Sequence, residues 1–515
     1  MLAETISANP ATGQEIGRTP LHTVDDLKQM LEQAKNAQTD WGRVPVKKRV
    51  AYFYDTLHYL VNNMDELADI IARDNGKLKT DALATEVLPA ALATSYYCRK
   101  APHFLKDRST GFSNIAFVNK RTKTVRAPYG VLGVISPWNY PFSIAFSEVI
   151  MALIAGNAVI LKTASETQLI GQALKESIEA AGLPEGLFHF INLPGRVAGP
   201  AFLEAGIDKL FFTGSVPVGK TLMKMAADTL TPINLELGGN DAMIICEDAD
   251  LDRAVNGTIW AGFSNTGQSC GGIERIYVQE KVYQPFLEKL KAEMERLENQ
   301  GQSQIGVMTT EKQVQSVQRH VDEALAAGAT MYAKSDLSGA QEVRNHLPAM
   351  VLTNVNHEME VMLDETFGPV VGVMPYKTIE EAINLANDSY LGLTGSVWSR
   401  NRRMARRIAR QIQAGTVTIN DHLMSHGLPD TSWGGFKESG IGRTHGALGF
   451  MQMTQPQMIV DDWFGVFKRN IWWHPYDANQ YEGLKGLIKV LYSRGLLVKI
   501  KGLWALLKIV PRMFK

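Results

Sequence analysis

The chain has 515 residues, 45% of them apolar, and its 53 Lys plus Arg balance 53 Asp plus Glu, so the formal net charge is zero. That length exceeds what one hydrophobic core holds and predicts two large domains with an accessory element. Charge neutrality argues against a nucleic-acid partner, and the 3 cysteines, sparse and without metal-ligand spacing, argue against a zinc site or a disulfide framework.

Residues 1–10 lack a basic stretch followed by an apolar one and run into the turn-forming Asn9-Pro10-Ala11-Thr12-Gly13, so a cytoplasmic protein is expected. Further on, apolar β-branched runs alternate with helix-period segments, which predicts βαβ units and a mainly parallel sheet. Residues 131–135, 158–161 and 209–213 read as buried strands, each followed by a helix, and together define an open α/β domain. A second α/β series runs through 242–246, 276–278, 372–374 and 415–419. Residues 109–128 and 451–460 alternate polar and apolar positions instead, as expected of an arm that pairs between subunits.

No Gly-x-Gly-x-x-Gly occurs. In its place Gly214, Ser215 and Gly219 follow the strand 209–213 and open a helix, where glycines admit a phosphate to unpaired N–H groups; a tight strand-to-helix turn would read the same way. Lys162 follows the strand 158–161, at the carboxyl end where parallel strands form a ligand crevice. Downstream, Cys270 stands among the small residues of Asn265-Thr266-Gly267-Gln268-Ser269-Cys270-Gly271-Gly272, and Glu236 precedes it by 34 residues. A thiolate is the strongest ordinary nucleophile near neutral pH, and a carboxylate folded beside it could activate water to release what the sulfur captured. Cys98 and Cys246 lie in apolar runs and read as packing, and no histidine pattern with Cys270 suggests a protease.

With these motifs in family order, the chain resembles the NAD(P)-dependent aldehyde dehydrogenase superfamily from about Asn9 to Val460. The resemblance rests on Pro137-Trp138-Asn139-Tyr140-Pro141, Glu236-Leu237-Gly238-Gly239, Gly267-Gln268-Ser269-Cys270, Glu365-Thr366-Phe367-Gly368-Pro369 and Gly434-Gly435-Phe436-Lys437-Glu438-Ser439-Gly440. It implies an α/β fold with a Rossmann-type cofactor domain (1–108 and 129–237), an α/β catalytic domain (238–450) and a small β oligomerisation arm (109–128 and 451–465). A homodimer or homotetramer is implied too. By the same resemblance Cys270 is the nucleophile, Asn139 and the Cys270 N–H hold the oxyanion, and Glu236 is the general base. Glu365 and Phe367 contact the nicotinamide half of NAD or NADP, and Trp138, Leu237, Lys162, Gly214, Ser215 and Gly219 complete the cofactor set. Many members carry a glutamate three residues after the strand-end lysine, which repels a 2′-phosphate; here Ser165 stands there, with Glu166 one further on, so NADP use joins NAD as an expectation.

Beyond the resemblance, residues 466–515 form a basic tail. From Gly483 onward it holds eight Lys or Arg and no Asp or Glu. Leu496, Ile500, Leu503, Leu507 and Val510 recur at helical spacing, with Arg494, Lys501, Lys508 and Arg512 largely on another side. Residues 483–515 therefore read as an amphipathic segment lying in a membrane surface, with Trp472, Trp473 and Tyr476 at headgroup level. A helix packed on the protein itself or against another subunit is the competing reading. Membrane attachment suits a medium- or long-chain lipophilic aldehyde. The rival activities are acyl transfer to coenzyme A, the reverse reduction, and a non-catalytic scaffold of the same fold.

Overall fold

The computed structural model describes residues 3–111, 117–299, 302–336 and 343–514. Residues 112–116 of the expected arm, 300–301 and 337–342 of the expected catalytic domain, and the ends of the chain lie outside the described residues.

Two sheets organise residues 3–105 and 128–455. In the first, the strands run in the order Gly440–Ile441, Ile233–Glu236, Lys209–Thr213, Val131–Ile135, Ala158–Lys162, Phe188–Phe190. All neighbours are parallel except the outermost, Gly440–Ile441, which pairs antiparallel with 235–236. Val131–Ile135 and Ala158–Lys162 are buried at every residue, the outcome that unbroken apolar runs require once helices cover both faces of a parallel sheet. Helix Ser143–Ala155 is also buried throughout and stops at Gly156, whose φ of 100° lies in the left-handed region. Helix Val216–Thr229 starts immediately after the Lys209–Thr213 strand.

The second sheet orders Thr330–Lys334, Met350–Thr353, Val370–Tyr376, Ile273–Gln279, Asp241–Ile245, Thr394–Trp398, Thr416–Ile419. Only Thr330–Lys334 is antiparallel to its neighbour. Separate apolar clusters cover its two faces, one around Tyr277 and Met362, the other around Phe263 and Phe286.

Residues 451 and 452, expected in the arm, instead end the helix Gly446–Gln452. Phe450 and Met453 belong to the core of the first sheet, Phe450 meeting Tyr97 edge-on at 5.5 Å, and this burial outweighs the strand-like alternation. The strand begins at Thr454.

Residues 106–127 and 456–515 pack as a unit of their own. Its three-stranded sheet has the order Thr454–Asp462, Lys120–Pro128, Arg108–Ser109. The tail departs from a single amphipathic helix. Ser493 and Gly495 interrupt it, giving helices Ala478–Tyr492 and Leu496–Leu507 that pack on each other. Gly483, Gly486 and Gly502 form the inner face, a Cβ on Gly483 meeting Ile509 and one on Gly486 meeting the Gly502 backbone. Large apolar side chains consequently point outward: Leu496 is 74% exposed, Leu497 75% and Trp504 66%. Arg512, counted with the basic side, is tied to Asp477 at 3.2 Å. Among the described residues no helix is long and apolar enough to cross a membrane.

Candidate active site

Cys270 follows a loop whose backbone is unusual for its sequence. Asn265 and Thr266 both have φ above 50°, and Gly267 has φ 69° with the Gly368 backbone against its α-carbon. Two left-handed non-glycine residues in a row, one β-branched, are costly and persist only where surroundings hold them. Here the Gln268 side chain does so, accepting the Thr309 N–H at 2.9 Å and donating to the Asn265 carbonyl at 3.0 Å. Gly239 provides the space beside Cys270, since a Cβ there would strike the Cys270 carbonyl; on Gly238 it would strike the Glu365 carboxylate.

Asn139 is buried, its Nδ2 donating to the Gln268 carbonyl at 3.2 Å while its own carbonyl accepts from Asn265 Nδ2 at 2.9 Å. Residues with no sequence signal hold this loop. Lys77 Nζ bonds the Asn139 carbonyl at 3.0 Å and Glu86 Oε1 at 2.6 Å, the ion pair having no exposed side-chain surface. Glu86 Oε2 accepts the N–H groups of Phe142 and Ser143 at 3.1 and 2.8 Å. Glu86 itself sits in a π-helical turn, Leu83–Val87, a distortion that recurs at functional sites. Glu274 acts alike on the other side, its carboxylate accepting the N–H groups of Thr366 and Phe367 at 2.8 and 2.9 Å. Phe367, at φ 53°, meets Trp138 edge-on at 5.4 Å. A Lys and a Glu nine residues apart, or a lone strand glutamate, carry no pattern that marks them beforehand.

Cys270 is partly accessible and borders three cavities. The first, about 240 Å³, is a tunnel lined by Leu88, Leu92, Tyr140, Trp260, Leu428 and Trp433 among others, with no Lys, Arg, Asp or Glu among the described residues of its wall. The second, about 20 Å³, lies between Glu236 and Glu148. The third, about 490 Å³, is a polar cleft that joins Trp138, Asn139, Glu166, Gly214, Ser215, Glu236, Leu237, Glu365 and Phe367. Lys162, Ser165 and Gly219 do not line it. Lys162 is buried at its strand end, Ser165 opens the turn Ser165–Thr167, and Gly219 lies under Leu237, whose methyls a Cβ there would meet at 2.8 Å. Thr213, Thr310, Lys312, Gln313 and Ser316 complete the wall without having been expected.

Burial dominates the electrostatics. It pushes the Cys270 thiol up, with Glu365, Asp241 and Glu236 adding to the effect. Glu236 is raised well above the carboxylate range by burial and then by the Glu148 charge, with Arg443 and Asn234 pulling the other way. Lys162 is lowered by burial and partly restored by Glu166.

The cleft fits a dinucleotide. Its volume is in the range of small-molecule sites. Ser215 stands at the start of a long helix without capping it, so its side chain leaves the first-turn N–H groups to a phosphate. Glu365, bonded to the Gly239 N–H at 3.1 Å, presents a carboxylate for hydroxyls.

A thiol and a buried carboxylate, at the meeting of an apolar tunnel and a dinucleotide-sized cleft, define a thiol-dependent oxidoreductase. The model of the aldehyde dehydrogenase family matches residues 3–459, and the chain belongs to that family. It is an NAD(P)-dependent enzyme that oxidises an aldehyde. The 4,4'-diapolycopene aldehyde oxidase of Methylomonas sp is 37% identical over 492 residues, covering 95% of this chain and 92% of that protein. A putative succinate-semialdehyde dehydrogenase [NADP(+)] of Mycolicibacterium smegmatis is 37% identical over 454 residues, 87% of each chain. Among solved structures, betaine aldehyde dehydrogenase of Staphylococcus aureus in complex with NAD+ superposes with a TM-score of 0.84 at 27% identity, covering 92% of this chain and 94% of that one.

Proposed function

We propose that the substrate is a medium- or long-chain apolar aldehyde, oxidised to its carboxylic acid through a thioester on Cys270. The observation that carries this reading is the junction at Cys270, where an apolar tunnel without charged groups meets the cofactor cleft and the cavity of Glu236. Cys270 Sγ bonds to the carbonyl carbon as its proton passes to a base. Ionised Glu236 is the acceptor, and it hands that proton to solvent before hydrolysis begins. Charge then develops on the aldehyde oxygen, where the Cys270 N–H and the second N–H of Asn139 Nδ2 receive it. Losing one such donor costs about 3–4 kcal/mol of barrier. Bound in the cleft against Glu365, Phe367, Gly214 and Ser215, NAD or NADP supplies the hydride acceptor. The acyl group remains on sulfur until Glu236 takes a proton from water, the new C–O bond forms and the C–S bond breaks. Water rather than coenzyme A is the acceptor, a reading supported by the small closed space beside Glu236.

Residues 1–108 and 129–237 serve as the cofactor domain and 238–450 as the catalytic domain in this reading. Residues 109–128 and 454–465 are the oligomerisation arm of a dimer or tetramer. The Thr454–Asp462 edge strand supports it, exposing Met458, Ile459 and Val460 where an unpaired edge invites another chain. Glu166, which lines the cleft where Ser165 does not, favours NAD by repelling a 2′-phosphate. The tail hairpin docks on an anionic bilayer at the cytoplasmic face, supported by its outward Leu497 and Trp504 and by the basic charge of residues 483–515, which hold no Asp or Glu.

A homologous series of straight-chain aldehydes tests the substrate. Each added methylene entering the tunnel stabilises the complex by about 0.8 kcal/mol, so kcat/KM rises about fourfold per carbon until the tunnel is full. A preference for succinate semialdehyde overturns the reading. For the tail, Leu497→Glu with Trp504→Glu should abolish co-sedimentation with phosphatidylserine vesicles and spare turnover of short aldehydes; unchanged sedimentation rejects it.

A further inference from the structure

Helix Ser143–Ala155 is buried at all thirteen residues, and Glu148, in its middle, is its one ionisable side chain. A carboxylate is not kept in such a place without compensation. Glu148 Oε2 is buried without a hydrogen-bond partner, as are Glu236 Oε1 and Oε2 and Thr213 Oγ1. Glu148, Glu236 and Thr213 line the same cavity of about 20 Å³, which has room for one water and offers the polar partners a buried water needs.

We infer that Glu148 is a positioning residue for the hydrolytic half-reaction: with Glu236 it grips a single water, and the two carboxyl groups hold one proton between them. The inference rests on Glu236 being the base. No cation lines the cavity, whose other titratable groups are Cys270, His426 and His445. Burial brings His426 down to about 4 and lowers His445 further from its ordinary value, so both are neutral; Tyr97, bonded to His445 Nδ1 at 2.6 Å, stays protonated. Arg443 is the cation that acts on Glu236. Two carboxylates facing one small space cannot both ionise; burial raises both, Glu148 to about 8, and Arg443, which acts on Glu236, leaves the charge on Glu236 and the proton on Glu148.

Neutral Glu148 then donates its O–H to the bridging water, and the water donates to the Glu236 carboxylate, keeping Glu236 ionised and aimed. In hydrolysis an O–H bond of the attacking water breaks and its proton goes to Glu236. The C–O bond forms as the C–S bond breaks, and the electron pair returns to sulfur. Glu236 passes its proton to the Cys270 thiolate, whose buried sulfur favours the protonated form, and the carboxyl pair is again left with one proton.

The test compares E148M, similar in size but unable to donate, with E148Q, a neutral donor. Both are made in the full-length enzyme and followed by the pH profile of kcat and by the burst of reduced cofactor. For E148M the acid limb should move up by about one pH unit or more, kcat at pH 7 should fall about tenfold, and the burst should persist. E148Q should retain the acid limb. Identical profiles for the two variants overturn the proposal, as does failure of either to fold by thermal melting, which assigns Glu148 to structure alone. Independently, E236Q should keep the burst and lose turnover; normal turnover there removes the base assignment itself and is distinguishable from any outcome at Glu148.

Discussion

On one side of Cys270 lies a tunnel of leucines and aromatic rings; on the other a cleft of hydroxyls, amides and carboxylates. The two are made differently. The cleft is assembled from the loops that follow strands Val131–Ile135, Ala158–Lys162, Lys209–Thr213 and Ile233–Glu236 of the first sheet, the loops that precede Ile273–Gln279 and Val370–Tyr376 of the second, and the start of helix Glu311–Ala326. The tunnel comes from the 84–92 helical segment, the start of helix Ser143–Ala155 and the 423–433 loop. Cys270 stands where the two meet, and the fold draws their walls from different parts of the chain. Because tunnel and cleft share only Cys270 among their described lining residues, changes in one should leave the other nearly untouched.

Substitution at the junction should have the largest effect. C270S lowers kcat/KM by at least about 10³-fold, roughly 4 kcal/mol of barrier, with any aldehyde and either cofactor, because oxygen at neutral pH is a poor substitute for sulfur. Steady-state rates on both cofactors check it; a variant that oxidises at full speed would falsify the shared-sulfur reading. Next comes the tunnel. L428K introduces a cation into a wall that has none, and should cut kcat/KM for decanal about tenfold, near 1.4 kcal/mol, while improving use of succinate semialdehyde. The KM for NAD should stay the same, and a matched change in it would show that the cavities are not independent. On the cleft side, E166Q should raise kcat/KM with NADP by about fivefold, close to 1 kcal/mol, and leave aldehyde selectivity unchanged.

The smallest effect is on stability. Burial raises Asp241 and Glu148 to about 8 and Glu274 to about 7. Between the ordinary carboxylate range and those values the folded chain holds protons that the unfolded chain has released, so their contribution is full at acid pH and is lost as pH rises toward 8. Thermal melting should therefore give a Tm at pH 9 about 2–4 °C below that at pH 6, and E148Q should flatten part of the slope. A Tm that climbs across this range would contradict it.

Legibility followed the same division. Val131–Ile135 and Lys209–Thr213 were readable to the residue, and Asp241–Ile245 and Thr416–Ile419 to within one, because strands inside a sheet are apolar runs; 276–278 and 372–374 caught only part of Ile273–Gln279 and Val370–Tyr376, and Thr330–Lys334, Met350–Thr353 and Thr394–Trp398 were not read. Cys270, Glu236 and the Gly214-Ser215 turn stood out by their chemistry, whereas Trp138, Asn139, Leu237, Glu365 and Phe367 were named only through the family resemblance. Lys77, Glu86, Glu274 and Glu148 could not. Each acts through a partner distant in sequence, as Glu274 does on the N–H groups 92 and 93 residues away. In the tail, helical spacing showed which residues share a face but not that glycines would take the inner one.

By itself the sequence determined the alternation of strands and helices and the family, and singled out Cys270 and Glu236, since these depend on local periodicity, motif order and side-chain chemistry. Tertiary structure alone decided that Cys270 borders three cavities, that the tunnel wall carries no charge, and that a second buried glutamate faces the first. Cavity shape and the proton affinity of a buried acid arise from what surrounds a residue in space, and that surrounding exists only once distant segments have packed.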